Sequence, residues 1–160
     1  MATFILRLAT LALTFTSTAF AQLSNFDDWS HQRIQLEGVS IHFRYYGSGP
    51  PLLLVHGFPQ HSLTWHTIGP ILAQNYTVLA PDIRGMGDFS LSARANYTAL
   101  AAGSNLKAIL DFLEIERAYV FAHDKGGGLA ASLAIEYPEV VERLLIAEYT
   151  LPGYAYDTVV

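Results

Sequence analysis

Apolar and polar positions alternate along residues 33–46, where Ile34, Leu36, Val39, Ile41, Phe43 and Tyr45 are spaced by other residues around Gly38. A period of two sends alternate side chains to opposite faces, so the pattern predicts a hairpin of two half-buried strands. Gly47-Ser48-Gly49-Pro50-Pro51 then marks a turn. Three apolar runs follow along the chain: Leu52-Leu53-Leu54-Val55, Tyr76-Thr77-Val78-Leu79-Ala80 and Ala118-Tyr119-Val120-Phe121-Ala122. Short runs of this kind read as strands buried on both faces. Leu100, Leu106, Ile109, Leu110 and Leu113 recur at spacings near three and four, which predicts a helix over residues 98–113, capped by Asn96 or Thr98 and slightly weakened by Gly103. A second helix is expected over residues 126–137, with Leu129, Ala130, Leu133 and Ala134 on its packed side and Pro138 ending it. Residues 140–147 lead through a short helical turn or linker into a strand centred on Leu144-Leu145-Ile146. Strands alternating with helices imply an α/β fold, a mostly parallel sheet with helices on both faces and right-handed crossovers.

Composition narrows the class. The 160 residues are 51% hydrophobic and 14% charged, without repeats or charge blocks, which fits one globular domain. A net charge of −5 removes nucleic acid from the expected partners, because phosphate binding needs clustered Lys and Arg. Residues 4–20 are apolar and rich in Ala, Leu, Thr and Phe, carry only Arg7 as a charge, and end in Ala19-Phe20-Ala21. Those features predict a secretory signal over residues 1–21, cleaved after Ala21, with a secreted domain over residues 22–160. The alternative for this segment is a membrane anchor, but Thr10, Thr14, Thr16, Ser17 and Thr18 dilute it below the roughly 20 mostly apolar residues that span a bilayer, which favours the signal, and no membrane partner is expected. The absence of cysteine excludes a cysteine nucleophile and a thiolate metal site, and no cofactor or metal is expected.

Ligands of open parallel sheets bind outside the carboxyl ends of the strands, so the residues just after each apolar run carry the candidate chemistry. These are His56-Gly57-Phe58-Pro59, then Pro81-Asp82-Ile83-Arg84-Gly85-Met86-Gly87-Asp88, then His123-Asp124-Lys125-Gly126-Gly127-Gly128. In the last, a strand runs into a helix through small residues, the setting of a nucleophile elbow, with Asp124 where a serine hydrolase would hold serine.

With these clusters in this order, and with Trp65-His66 and Ala134-Ile135-Glu136-Tyr137-Pro138-Glu139 beside them, the sequence resembles the epoxide hydrolase and dehalogenase branch of the α/β-hydrolase superfamily from about Gln32 onward. The resemblance implies that Asp124 attacks a small apolar electrophile, an epoxide or an organohalide, forming a covalent ester that water hydrolyses. It also implies that the backbone N–H groups of Phe58 and Lys125 form the oxyanion hole. His56, Gly57 and Pro59 would shape the first loop, His123 and Gly126 the elbow, and Arg84 and Asp88 would brace loops. A helix N-terminus favours an ionised Asp124.

In this superfamily an acid and a histidine follow the nucleophile. All six histidines, His31, His42, His56, His61, His66 and His123, precede Asp124, and the only later aspartate is Asp157. The expectation is therefore an N-terminal part of a hydrolase, truncated before the lid and the last strands, with a non-catalytic remnant as the alternative. Tyr149, Tyr154 and Tyr156 are not expected to replace the lid tyrosines that protonate an epoxide. Haloalkane dehalogenases carry a tryptophan after the nucleophile and an asparagine in the earlier loop, where this chain has Lys125 and Phe58. Haloacetate dehalogenases hold the substrate carboxylate with two arginines, at positions held here by Lys125 and Gly128. An epoxide needs neither clamp, which ranks epoxide opening first and dehalogenation second.

Overall fold

The computed structural model of the chain describes residues 23–91 and 96–150. The expected signal segment, together with Tyr154, Tyr156 and Asp157, lies outside the described residues. The alternating segment folds as the expected hairpin, β1 (Ser30–Leu36) and β2 (Val39–Tyr46), paired antiparallel with Leu36 opposite Val39. The three apolar runs become β3 (Pro51–Val55), β4 (Thr77–Pro81) and β5 (Ala118–His123), and residues 141–147 form β6 (Val141–Ala147). The turn expected before β6 is a single 3-10 turn at Pro138–Val140.

The six strands form one sheet in the order β1-β2-β4-β3-β5-β6. β4, β3, β5 and β6 run parallel, and β2 joins them antiparallel along β4, so the sheet is mostly parallel. Three helices lie between strands: α1 (Gly69–Leu72), α2 (Ala99–Phe112) and α3 (Gly126–Glu136). Thr98 caps α2 by accepting the N–H of Ala101, while the Asn96 side chain accepts the N–H of Thr98 one step upstream, so each expected cap has its own task.

The continuous apolar character of β3 follows from burial on both sides. Leu53 and Val55 face α2 and α3 with Leu79, Val120 and Ala122, while Leu52 and Leu54 face Trp29, Trp65 and Phe26. Leu53 and Leu54 are both fully buried, each burial contributing about 1.5–3 kcal/mol. In α3, Leu129, Ala130 and Leu133 are buried and Ala134 is half-buried, whereas Leu100 of the α2 pattern is 52% exposed. This core fixes the carboxyl ends of β3, β4 and β5 side by side, and the three candidate clusters meet there.

Candidate active site

At the end of β5 the chain reverses sharply into α3. Asp124 sits at φ 50°, the left-handed region that costs an L-residue roughly 1–2 kcal/mol. Two backbone bonds hold it there: its N–H donates to Ala147 O at 2.9 Å, and its own carbonyl accepts the N–H of Gly127 at 2.8 Å. The helix cap is Lys125, with no side-chain bond, so Asp124 does not serve as an N-cap aspartate. Its carboxylate instead turns to the loop after β3, where Oδ1 accepts the Phe58 N–H at 2.8 Å. The backbone N–H groups of Lys125 and Phe58, aided by the nearby His123 and Lys125 side chains, hold the Asp124 carboxyl below its ordinary value. Strained backbone and a half-exposed, ionised carboxylate at a strand end are what a positioned nucleophile requires.

The close approach of the two loops depends on missing side chains. A Cβ on Gly57 would lie 2.5 Å from Asp124 Cβ and 2.6 Å from its Oδ1, and a Cβ on Gly126 would lie 2.4 Å from His56 O and 2.5 Å from Val55 O. His56 is fully buried. Its Nδ1 bonds Gly57 O at 2.8 Å and its Nε2 accepts the Ile83 N–H at 2.9 Å, which fixes the proton on Nδ1 and ties the β3 loop to the β4 loop. Burial outweighs the Gly57 bond and holds the imidazole below its ordinary pKa, so it is a neutral strut. The Phe58–Pro59 peptide bond is cis, and the exposed Phe58 ring lies under the Lys125 ammonium at 5.5 Å. His123 is half-buried at the end of β5.

Arg84 and Asp88 brace loops. Arg84 donates to Asn105 Oδ1 at 2.8 Å and Asn96 O at 2.9 Å, and the Asp88 carbonyl accepts from Arg33 at 2.7 Å. Sequence reasoning quoted Asp82 without giving it a role, and the structure supplies one. Its carboxylate, 2% exposed, accepts from Ser62 N at 2.7 Å, Asp88 N at 2.9 Å and His42 Nδ1 at 2.7 Å. Burial would raise its pKa, and the three donors overcome that and hold it far below the ordinary value. His42 in turn bonds His31 at 3.0 Å. His42, Asp82 and Asp88 bring possible metal-ligand atoms within 4.8 Å of one another, but both Asp82 oxygens are already engaged by N–H donors, which fits a brace. Gly87 was the available signal: a Cβ there would strike the Asp82 carboxylate at 2.4–2.6 Å.

Tyr149 also lacked an expected role. Its hydroxyl lies 2.7 Å from where a Cβ on Gly128 would stand, filling the space a side chain at that position would enter. A cavity of about 200 Å³ adjoins the elbow, lined in part by Arg84, Met86, Tyr97, Lys125 and Leu129. Among the described residues, no helix is long and apolar enough to cross a membrane.

Residues 50–158 match the family model described as the alpha/beta hydrolase fold. The chain is 34% identical over 124 residues to the soluble epoxide hydrolase of Corynebacterium sp. (strain C12), covering 78% of this chain and 43% of that protein. It is 34% identical over 133 residues to the fluoroacetate dehalogenase of Burkholderia sp., covering 81% and 43%. The solved structure of an epoxide hydrolase from Vigna radiata superposes with a TM-score of 0.74 at 26% identity, covering 79% of this chain and 42% of that one. The chain thus spans less than half the length of these curated relatives.

Proposed function

The chain belongs to the α/β-hydrolase fold family, and we propose that it carries the nucleophile-bearing portion of an epoxide hydrolase, acting on a small apolar epoxide with water as co-substrate. The observation that supports this reading most is the Asp124 carboxylate at its strained elbow, with Oδ1 on the Phe58 N–H at 2.8 Å. In the proposed reaction the other carboxylate oxygen attacks an epoxide carbon. The C–O bond of the ring breaks, and the oxygen stays on the substrate, taking a proton from a donor outside the described site. Water, deprotonated by a base, then adds to the ester carbon of Asp124. The negative charge that forms on Oδ1 meets the amides of Phe58 and Lys125, which already face that carboxyl in the resting protein. Collapse releases the diol and restores the carboxylate.

Dehalogenation is the second reading, favoured by the fluoroacetate dehalogenase relative and by the ammonium of Lys125. Lysine lacks the planar fork with which arginine grips a carboxylate, and Tyr149 occupies the space over Gly128 where a second cation would be seated. That arrangement favours the epoxide.

Residues 125–160 hold no histidine, so this stretch of polypeptide allows the alkylation step to be read apart from ester hydrolysis. Purified 160-residue protein incubated with styrene oxide is expected to gain one adduct by intact-mass spectrometry, mapped to Asp124 and absent from Asp124→Asn, with no diol beyond one equivalent. An adduct mapped elsewhere, or alkylation of Asp124→Asn at the same rate, would overturn the nucleophile assignment. Multiple turnover would show that a group within these 160 residues serves as the base for ester hydrolysis.

A further inference from the structure

Two of the four asparagines in the chain are followed two residues later by threonine, in Asn75-Tyr76-Thr77 and Asn96-Tyr97-Thr98, whereas Asn25 and Asn105 have Asp27 and Lys107 at that place. Asn-x-Thr with a residue other than proline between is the acceptor pattern for N-linked oligosaccharide. The spacing has a chemical reason, because it lets the threonine hydroxyl reach the asparagine amide. Here Thr98 Oγ1 donates to Asn96 Oδ1 at 2.9 Å.

Such a pattern becomes a site only where the fold leaves room for a bulky polar group. Asn75 lies in the turn between α1 and β4, where its N–H donates to Leu72 O at 3.0 Å. Its backbone is pressed against the turn that precedes β3, so closely that a Cβ on Gly49 would stand 2.4 Å from Asn75 O, yet the residue itself is exposed. Asn96 is also exposed, just before the cap of α2. Its backbone is held in turn, since its carbonyl accepts from Arg84 at 2.9 Å.

We propose that Asn75 and Asn96 carry N-linked oligosaccharides, added as the chain enters a secretory lumen. The donor is an oligosaccharide joined through its C1 to a lipid diphosphate. Asparagine Nδ2 attacks C1, the N–C1 bond forms and the C1–O bond breaks. The diphosphate leaves with the electron pair, and one amide hydrogen is lost as a proton. The sugar is borne on nitrogen, so Asn96 Oδ1 keeps its bonds to Thr98. Asn75 precedes β4 and so lies at the amino ends of the parallel strands, away from Asp124. Asn96 follows β4, and its neighbour Tyr97 lines the cavity of about 200 Å³ beside the elbow, which places the second glycan at the rim of the candidate site. The proposal rests on the export expected of residues 1–21 and is independent of the chemistry assigned to Asp124.

The test expresses the full chain in a eukaryotic secretory host and reads the secreted protein by intact mass before and after enzymatic release of N-glycans. The expected result is a mass above that of the polypeptide that falls to the polypeptide value on release. Peptide mapping should then find Asn75 and Asn96 converted to Asp, the mark that release leaves at an occupied asparagine. Asn75→Gln should lose one glycan and keep the other. Thr77→Ser, which retains the hydroxyl, should keep both, and Thr77→Val should lose the glycan on Asn75. Asn96 and Thr98 belong to the start of α2, so mapping of the unaltered chain decides that site without a variant. Secreted protein in which either asparagine stays unmodified would overturn the proposal for that residue. A chain that remains in the cytosol would overturn it for both, because neither asparagine then meets the donor.

Discussion

Replacing Gly57 with alanine tests whether the contact between the β3 loop and the elbow positions the nucleophile. The new Cβ would lie 2.5 Å from Asp124 Cβ, 2.6 Å from Oδ1 and 3.0 Å from Cγ, against an ordinary contact of 3.4–4 Å. Something must yield by most of an ångström, and it is either the Asp124 side chain or the loop that carries the Phe58 amide. Either movement breaks the 2.8 Å bond from Phe58 to Oδ1. Overpacking of this kind costs about 1–3 kcal/mol. At roughly 4 °C per kcal/mol for a domain of this size, the Tm should fall by about 4–12 °C. The chemical effect should be larger, because misplacing a reacting group by ~1 Å can cost on the order of 10²-fold in rate. The assay is the rate of Asp124 alkylation by styrene oxide, read by intact mass below the Tm of both proteins. Gly38→Ala is the control: Gly38 has φ 78° and nothing within 4 Å of an added Cβ, so it should lose a little stability from backbone strain and keep its alkylation rate. If Gly57→Ala alkylated as fast as the unaltered chain, the contact would not be what positions the carboxylate, and the reasoning would fail.

Stability should fall with acid in two stages. His56 is held below its ordinary value of 6.5, so the unfolded chain takes up a proton that the fold refuses once the pH drops below about 6.5. Asp82 is held below its ordinary 3.8, so its contribution is present above that value and is lost as the pH falls further, and a Tm constant from pH 7 to 4.5 would refute the first stage. Joined to downstream sequence that supplies a base and a lid, the protein should open styrene oxide faster than it releases halide from a haloalkane or a haloacetate, with both reactions lost in Asp124→Ala; faster halide release would reverse the ranking. Expressed in a eukaryotic secretory host, the protein should be exported with Gln22 as its N-terminus, and an intact Met1 in the secreted fraction would dispose of the cleaved signal.

The elements were legible in the sequence because they follow from local periodicity. Leu52-Leu53-Leu54-Val55 reads as a strand with both faces covered, whereas the glycines after Asp124 open α3, where Gly126 admits the end of β3, and the left-handed φ of the turn falls on Asp124 itself. Asp124 and the loops that flank it stood out as candidates through their place after the apolar runs and through the family resemblance, not through periodicity. Neighbourhood was not legible. That β3 lies between β4 and β5, and that β2 joins the sheet through β4, depends on which faces pack best once the chain is collapsed, and no local pattern encodes it. Gly103 looked like a flaw in a helix, yet a Cβ there would stand 3.0 Å from Leu133 N, so its absence lets α2 approach α3. Asp82 looked like one polar residue in a loop motif until Ser62, Asp88 and His42 converged on it. The carboxylate of Asp124 meets its amide 66 residues away at Phe58. A sequence records the period of its side chains, which fixes the elements. Which carboxylate meets which donor is settled by long-range packing, because only the assembled core brings two strand ends within hydrogen-bond reach.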